Sequence, residues 1–167
     1  MKKRIIAIVG PSGSGKSTLV QYLEEVVGIP QLVSHTTRPM RNGEVQGREH
    51  WFDSDYCVPG RDKMLAYANF GGFHYWVALS QVEEYDVCTY IIDEAALVEM
   101  ANKFGDKYDI VPIYIEREYD KEIEQSRIDR DNERIILPRD YYYAVITNNG
   151  SLEAFFEEST KIFETLI

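Results

Sequence analysis

Residues 10–18 read GPSGSGKST, so three glycines, three serines, a lysine and a threonine crowd in directly behind the apolar run IIAIV. A packed core gains nothing from such a stretch, because each glycine costs roughly 0.5–1 kcal/mol of backbone order relative to alanine. The spacing Gly10-x-x-x-x-Gly15-Lys16-Ser17 matches the P-loop pattern in full. In that pattern the glycines let successive backbone N–H groups turn inward on phosphate oxygens. A helix starting near Gly15 brings the positive end of its dipole to the same spot. Lys16 supplies a cation for the outer phosphates, and the Ser17 hydroxyl is placed to ligate Mg²⁺. These residues read as a nucleoside triphosphate site made of Gly10, Ser12, Gly13, Ser14, Gly15, Lys16, Ser17 and Thr18.

A second cluster follows in SHTTRPMRNGEVQGREHWF, residues 34–52, where Arg38 and Arg41 lie three apart among Ser34, Thr36 and Thr37, with Arg48 beyond. The chain carries a formal net charge of −10, which repels nucleic acid and anionic membranes at long range. An anionic ligand therefore needs a local basic cluster, and this is one. Arginine forks and hydroxyls suit a phosphate monoester with its three acceptor oxygens. A third set, Arg127, Arg130 and Arg134, recurs at spacings of three and four, so one helix face would present all three. Such arginines stabilise the charge spread over a phosphoryl group in transfer. The same spacing also fits a solvated face paired with Glu122, Glu124, Asp129, Asp131 and Glu133.

The run Ser34-x-Thr36-Thr37-Arg38-Pro39-x-Arg41-x-Gly43-Glu44-x-x-Gly47-x-Glu49 resembles the acceptor-binding segment of guanylate kinases. With the P-loop and the order of elements, the likeness runs along nearly the whole chain, dense over residues 4–52 and thinner afterwards. It implies a single domain with a P-loop three-layer α/β/α fold and a mainly parallel sheet. The core would span about 1–33 and 81–167, an inserted β-rich monophosphate-binding subdomain about 34–80, and a short helical lid about 120–140. The implied reaction moves the γ-phosphate of ATP to GMP or dGMP, with Mg²⁺ as cofactor and Lys16, Arg38, Arg127 and Arg130 serving the transfer. Carried over by position, Ser34, Arg38, Arg41 and Tyr75 of GFHYW would hold the acceptor phosphate. Asp93, closing the strand YIID, would meet the guanine edge.

The chain departs from the pattern in three places. His50 stands where relatives usually carry a phosphate-binding tyrosine, Ala66 aligns with the glutamate that reads guanine, and Val77 aligns with the small hydroxyl that assists it. Asn69 lies near and substitutes only in part. A site without buried partners for the base edge loses discrimination between bases. Two alternatives therefore stand: a related kinase of another (deoxy)nucleoside monophosphate or of ribose 1,5-bisphosphate, and a silent binding module, against which the intact P-loop counts.

The elements that must position these residues follow from periodicity. Residues 4–9 predict a buried strand, and Leu19, Leu23 and Val26 predict a helix from Gly15 to about Val27 that Gly28 stops. QLVS (31–34) predicts a short strand, and MLAYANF and FHYWVAL around Gly71-Gly72 predict a β-hairpin. Strands are expected at 87–92, 109–116 and 142–147, and helices at about 93–104, about 120–134 and after NNGS (148–151), whose residues either meet the adenine or cap the helix. Strand–helix alternation of this kind gives βαβ units. The 167 residues, 44% hydrophobic and 13% aromatic, suffice for one core. Cys57 and Cys88 are too few for a disulfide framework. The basic, apolar start MKKRIIAIVGP has only five continuous apolar residues, too few for a leader, and no run approaches the roughly 18 of a membrane span. The expectation is a cytoplasmic monomer or homodimer acting on small-molecule nucleotides, with neither nucleic acid nor membrane as partner.

Overall fold

The β-branched apolar run after Lys3 forms strand β1 (Arg4–Val9), and Ile5 through Val9 are fully buried. Side chains alternate across a strand, so Ile6 and Ile8 enter one core while Ile5, Ala7 and Val9 enter another. A strand covered on both faces belongs at the centre of a parallel sheet. The computed structural model, which describes residues 1–118 and 134–167, places it there. Strand β1 is flanked in parallel by the strand Val87–Ile91 and the strand Asp109–Glu116, and the latter pairs in parallel with Ala144–Thr147. In chain order these three are β6, β7 and β8, giving the sheet order β6-β1-β7-β8.

Helices cover both faces, as an α/β fold requires. Helix α1 (Lys16–Tyr22) contributes Leu19 and Val20 to the first core, and the C-terminal helix α4 (Leu152–Phe163) adds Phe155 and Phe163. On the other face α3 (Glu94–Phe104) inserts Leu97 and Met100, and the short α2 (Leu79–Glu83) inserts Val82. Between residues 35 and 78 lies a second sheet of β2 (His35–Thr36), β3 (Trp51–Phe52), β4 (Met64–Phe70) and β5 (Phe73–Ala78), ordered β3-β2-β5-β4. Strands β4 and β5 form the expected hairpin about Gly71-Gly72. Its Leu65 and Val77 drop into the same core as Ile5, Ala7 and Val9.

Three elements differ from expectation. Residues 31–34 make no strand: Gln31 forms one bridge with Thr89, and the Gln81 side chain then bonds both the N–H and the carbonyl of Val33, at 3.2 and 3.0 Å, taking the place of a neighbouring strand. The first helix widens to a π-helical end over Leu23–Val27, which turns Val26 out to 65% exposure. The last strand begins at Ala144 rather than at 142. The helix expected over about 120–134 lies outside the described residues, apart from Arg134, which sits in a bend. Among the described residues no helix is long and apolar enough to cross a membrane. Both cysteines are free thiols; Cys88 is buried, and burial pushes its thiol up to about 12.

Candidate active site

Strand β1 ends at Val9, and residues 10–15 turn the chain into α1. At Gly10 a Cβ would stand 2.5 Å from the Ile115 carbonyl oxygen, so only glycine lets the loop pass this close to β7. Gly15, the residue preceding α1, has φ of 102°, and a Cβ there would lie 2.5 Å from the Asn148 amide nitrogen. That amide is buried and donates to the Ser14 carbonyl at 2.8 Å, tying the loop to the end of β8. Lys16 Nζ donates to the carbonyls of Gly10 and Pro11, each at 2.7 Å, which holds its ammonium across the loop. Ser14 Oγ is buried with no hydrogen-bond partner among the described residues. A buried hydroxyl of this kind calls for an acceptor, such as the oxygen of an anionic ligand.

The acceptor segment builds a second polar site. Ser34 Oγ and His50 Nδ1 are hydrogen-bonded at 2.8 Å, and the His50 ring stands edge-on to Tyr75 with centroids 5.7 Å apart. The Arg38 fork grips Glu44 through two bonds, Nη2–Oε1 at 2.8 Å and Nη1–Oε2 at 3.0 Å, and lies over the Phe52 ring. Glu44 also accepts the Arg41 backbone N–H at 2.6 Å. The Arg38 bond foremost, and then that N–H, hold the Glu44 carboxyl down at about 2. The Glu44 bond raises the Arg38 guanidinium in turn, with Tyr75 adding to it. Burial, and next the Arg38 charge, push the His50 imidazole below its ordinary value.

One cleft of about 570 Å³ is lined from both sites, by Gly10, Ser12 and Lys16 of the P-loop and by Ser34 and Tyr75 of the second site. Asp93 lines it too while capping α3 through the Ala96 N–H at 2.8 Å. Ser34 is shared with an adjoining cleft of about 580 Å³ that His50, Glu44 and Ser17 line. Arg38, Arg41 and Asn69 line neither cleft directly; Arg38 is buried and reaches the adjoining cleft only through its partner Glu44, whereas Arg41 and Asn69 are exposed. Thr18 is exposed in the first turn of α1, and Arg127 and Arg130 lie outside the described residues. Ala66 and Val77 face each other across the hairpin; Ala66 lines the cleft and Val77 is buried beneath it.

Two features escaped the sequence reading. Glu94, which reads as an ordinary acidic residue in a first helical turn, is 3% exposed, lines the cleft and is ion-paired with Arg134. Asn148, one of the NNGS residues expected to meet the adenine or cap the helix, braces the P-loop, while Ser151 is the cap of α4 and accepts the Ala154 N–H at 3.2 Å.

Residues 2–164 match the family model described as guanylate kinase. A guanylate kinase of Streptococcus agalactiae serotype III is 33% identical over 174 residues, which covers 90% of this chain and 81% of that protein. One from Streptococcus pyogenes serotype M3 is 32% identical over 187 residues, covering 96% and 85%. Among solved structures, the guanylate kinase of Anaplasma phagocytophilum superposes with a TM-score of 0.68 at 21% identity, over 99% of this chain and 85% of that one, a likeness of fold.

Proposed function

This chain belongs to the guanylate kinase family, and on that footing we propose that it is an ATP-dependent phosphotransferase that moves the γ-phosphate of ATP to GMP or dGMP, giving ADP and the nucleoside diphosphate. The observation that carries the reading is the one cleft that both the P-loop residues Gly10, Ser12 and Lys16 and the acceptor-segment residues Ser34 and Tyr75 line. Donor and acceptor phosphates bound by these residues would share that cleft.

On this reading the triphosphate lies along the loop from Gly10 to Thr18, with Lys16 on its outer phosphates. Ser34, His50 and Tyr75 take the acceptor phosphate, and Asp93 takes the base edge. Arg38 orders the segment through Glu44, and Arg41 reaches the phosphate from the exposed loop only once a nucleotide is bound. The acceptor oxygen is already anionic near neutral pH, so it attacks the γ-phosphorus in line as the bond to the β-phosphate oxygen breaks. No strong general base is needed. Mg²⁺ fits the exposed Ser17 hydroxyl, a hard oxygen donor in the first turn of α1 beside Lys16. Such an ion is carried mainly by nucleotide phosphates and water, and when bound it would neutralise charge on those phosphates.

A second reading keeps this chemistry with another nucleoside monophosphate as acceptor. The apolar Ala66–Val77 pair on the hairpin favours it.

The test is a coupled assay of ADP formation with GMP and dGMP. Lys16→Ala is expected to lower kcat by at least about 10³-fold while the melting temperature stays near wild type. A fully active variant would overturn the reading.

A further inference from the structure

We propose that Glu94 is a positioning residue for phosphoryl transfer, holding the Arg134 guanidinium in the wall of the cleft where the phosphates meet. The inference rests on the phosphotransfer reading above. Glu94 opens α3, directly after the capping Asp93, and its side chain is 4% exposed against 18% for Arg134. Arg134 approaches from 40 residues away; its Nε donates to Glu94 Oε2 at 3.0 Å and its Nη2 to Oε1. Two parallel contacts fix the plane of a guanidinium as well as its place.

The location of the pair shows what the contact is for. Burying two charges is costly, and a well-packed apolar pair of similar volume is often as stable or more so. Fastening residues 134–138 to α3 does not by itself require a buried charge pair. Both members also line the cleft, in which Lys16 and Arg134 are the cations among the described residues. As the phosphoryl group moves, negative charge spreads over its oxygens. A cation already held in place stabilises that charge without first having to reorganise. Lys16 is anchored by the P-loop carbonyls and Arg134 by Glu94, so both cations that line the cleft are held in place before the phosphoryl group moves.

The experiment compares Glu94→Gln, which keeps the volume and removes the charge, with wild type in kcat, in KM for ATP and acceptor, and in melting temperature. We expect kcat to fall about 10- to 100-fold, short of the 10²–10³ lost when a transition-state donor is removed outright, with both KM values within about threefold. Arg134→Lys should do the same, because an ammonium cannot make two parallel contacts. The double variant should be little worse than the poorer single one. A lower melting temperature with kcat unchanged, or a change confined to KM, overturns the inference. Should Glu94→Gln fail to fold, Glu94→Asp keeps the charge on a shorter arm; a loss of kcat supports positioning and a wild-type kcat overturns it. A wild-type protein inactive with every monophosphate overturns the phosphotransfer reading and this inference together. An active wild type with an unimpaired Glu94→Gln variant overturns the inference alone.

Discussion

Arg38 and Glu44 are six positions apart in a polar loop, and their ion pair decides how the acceptor loop answers to pH. In the folded chain the Glu44 carboxyl sits at about 2, against an ordinary 4.5. Its contribution to stability is therefore fully present above about pH 4.5 and is lost as pH falls from there toward 2. His50 acts with the same sign at higher pH. Its imidazole is depressed from the ordinary 6.5, so the unfolded chain takes up the proton first and stability declines as pH falls below that value. Denaturant unfolding at steps from about pH 5 down to about pH 3 should show a shallower acid loss for Glu44→Gln than for wild type. Equal slopes would mean that the pair contributes nothing to folding. In the sequence Arg38 has an expected phosphate-binding role; that a glutamate six positions on would order its fork was not legible, because Glu49 of the same loop has equal claim.

The P-loop shows how much an element depends on backbone shape. Gly15→Ala places a β carbon against the Asn148 amide at a left-handed φ, and should cost about 1–3 kcal/mol of stability and abolish ATP binding. Thermal unfolding with and without ATP checks both. Periodicity sufficed wherever an element buries a face of its own. Strand β1, the hairpin and β7 are such cases, and β7 matches its expected bounds of 109–116 despite Pro112. It failed at residues 31–34, where the partner is a side chain from 48 positions away, which leaves no local trace. It also failed at Val26, because an apolar repeat does not reveal that the final turn will widen.

For the molecule as a whole, the family and the fold were legible because the motifs that carry them are written in contiguous residues. The Glu94–Arg134 pair was not, since a contact across 40 residues has no spacing signature. The base end of the acceptor site has its own consequence for substrate choice. A pocket built to hydrogen-bond a base rejects analogues by about 10⁴–10⁵, whereas an apolar one manages only about 10². With Ala66 and Val77 apolar and Asp93 the acidic group left for the base edge, kcat/KM across GMP, dGMP, AMP, CMP, UMP and dTMP should spread by less than about 10⁴-fold. A preference for GMP of about 10⁴ would show that another group reads guanine.

Leu65 and Val77 of the hairpin share their oily layer with Ile5, Ala7 and Val9 of β1, the strand that launches the donor loop. The two nucleotide platforms thus rest on one floor and cannot be tuned separately. Any drift in the residues of that floor resets the gap the phosphoryl group must cross, and catalytic rate would register the change before foldedness did.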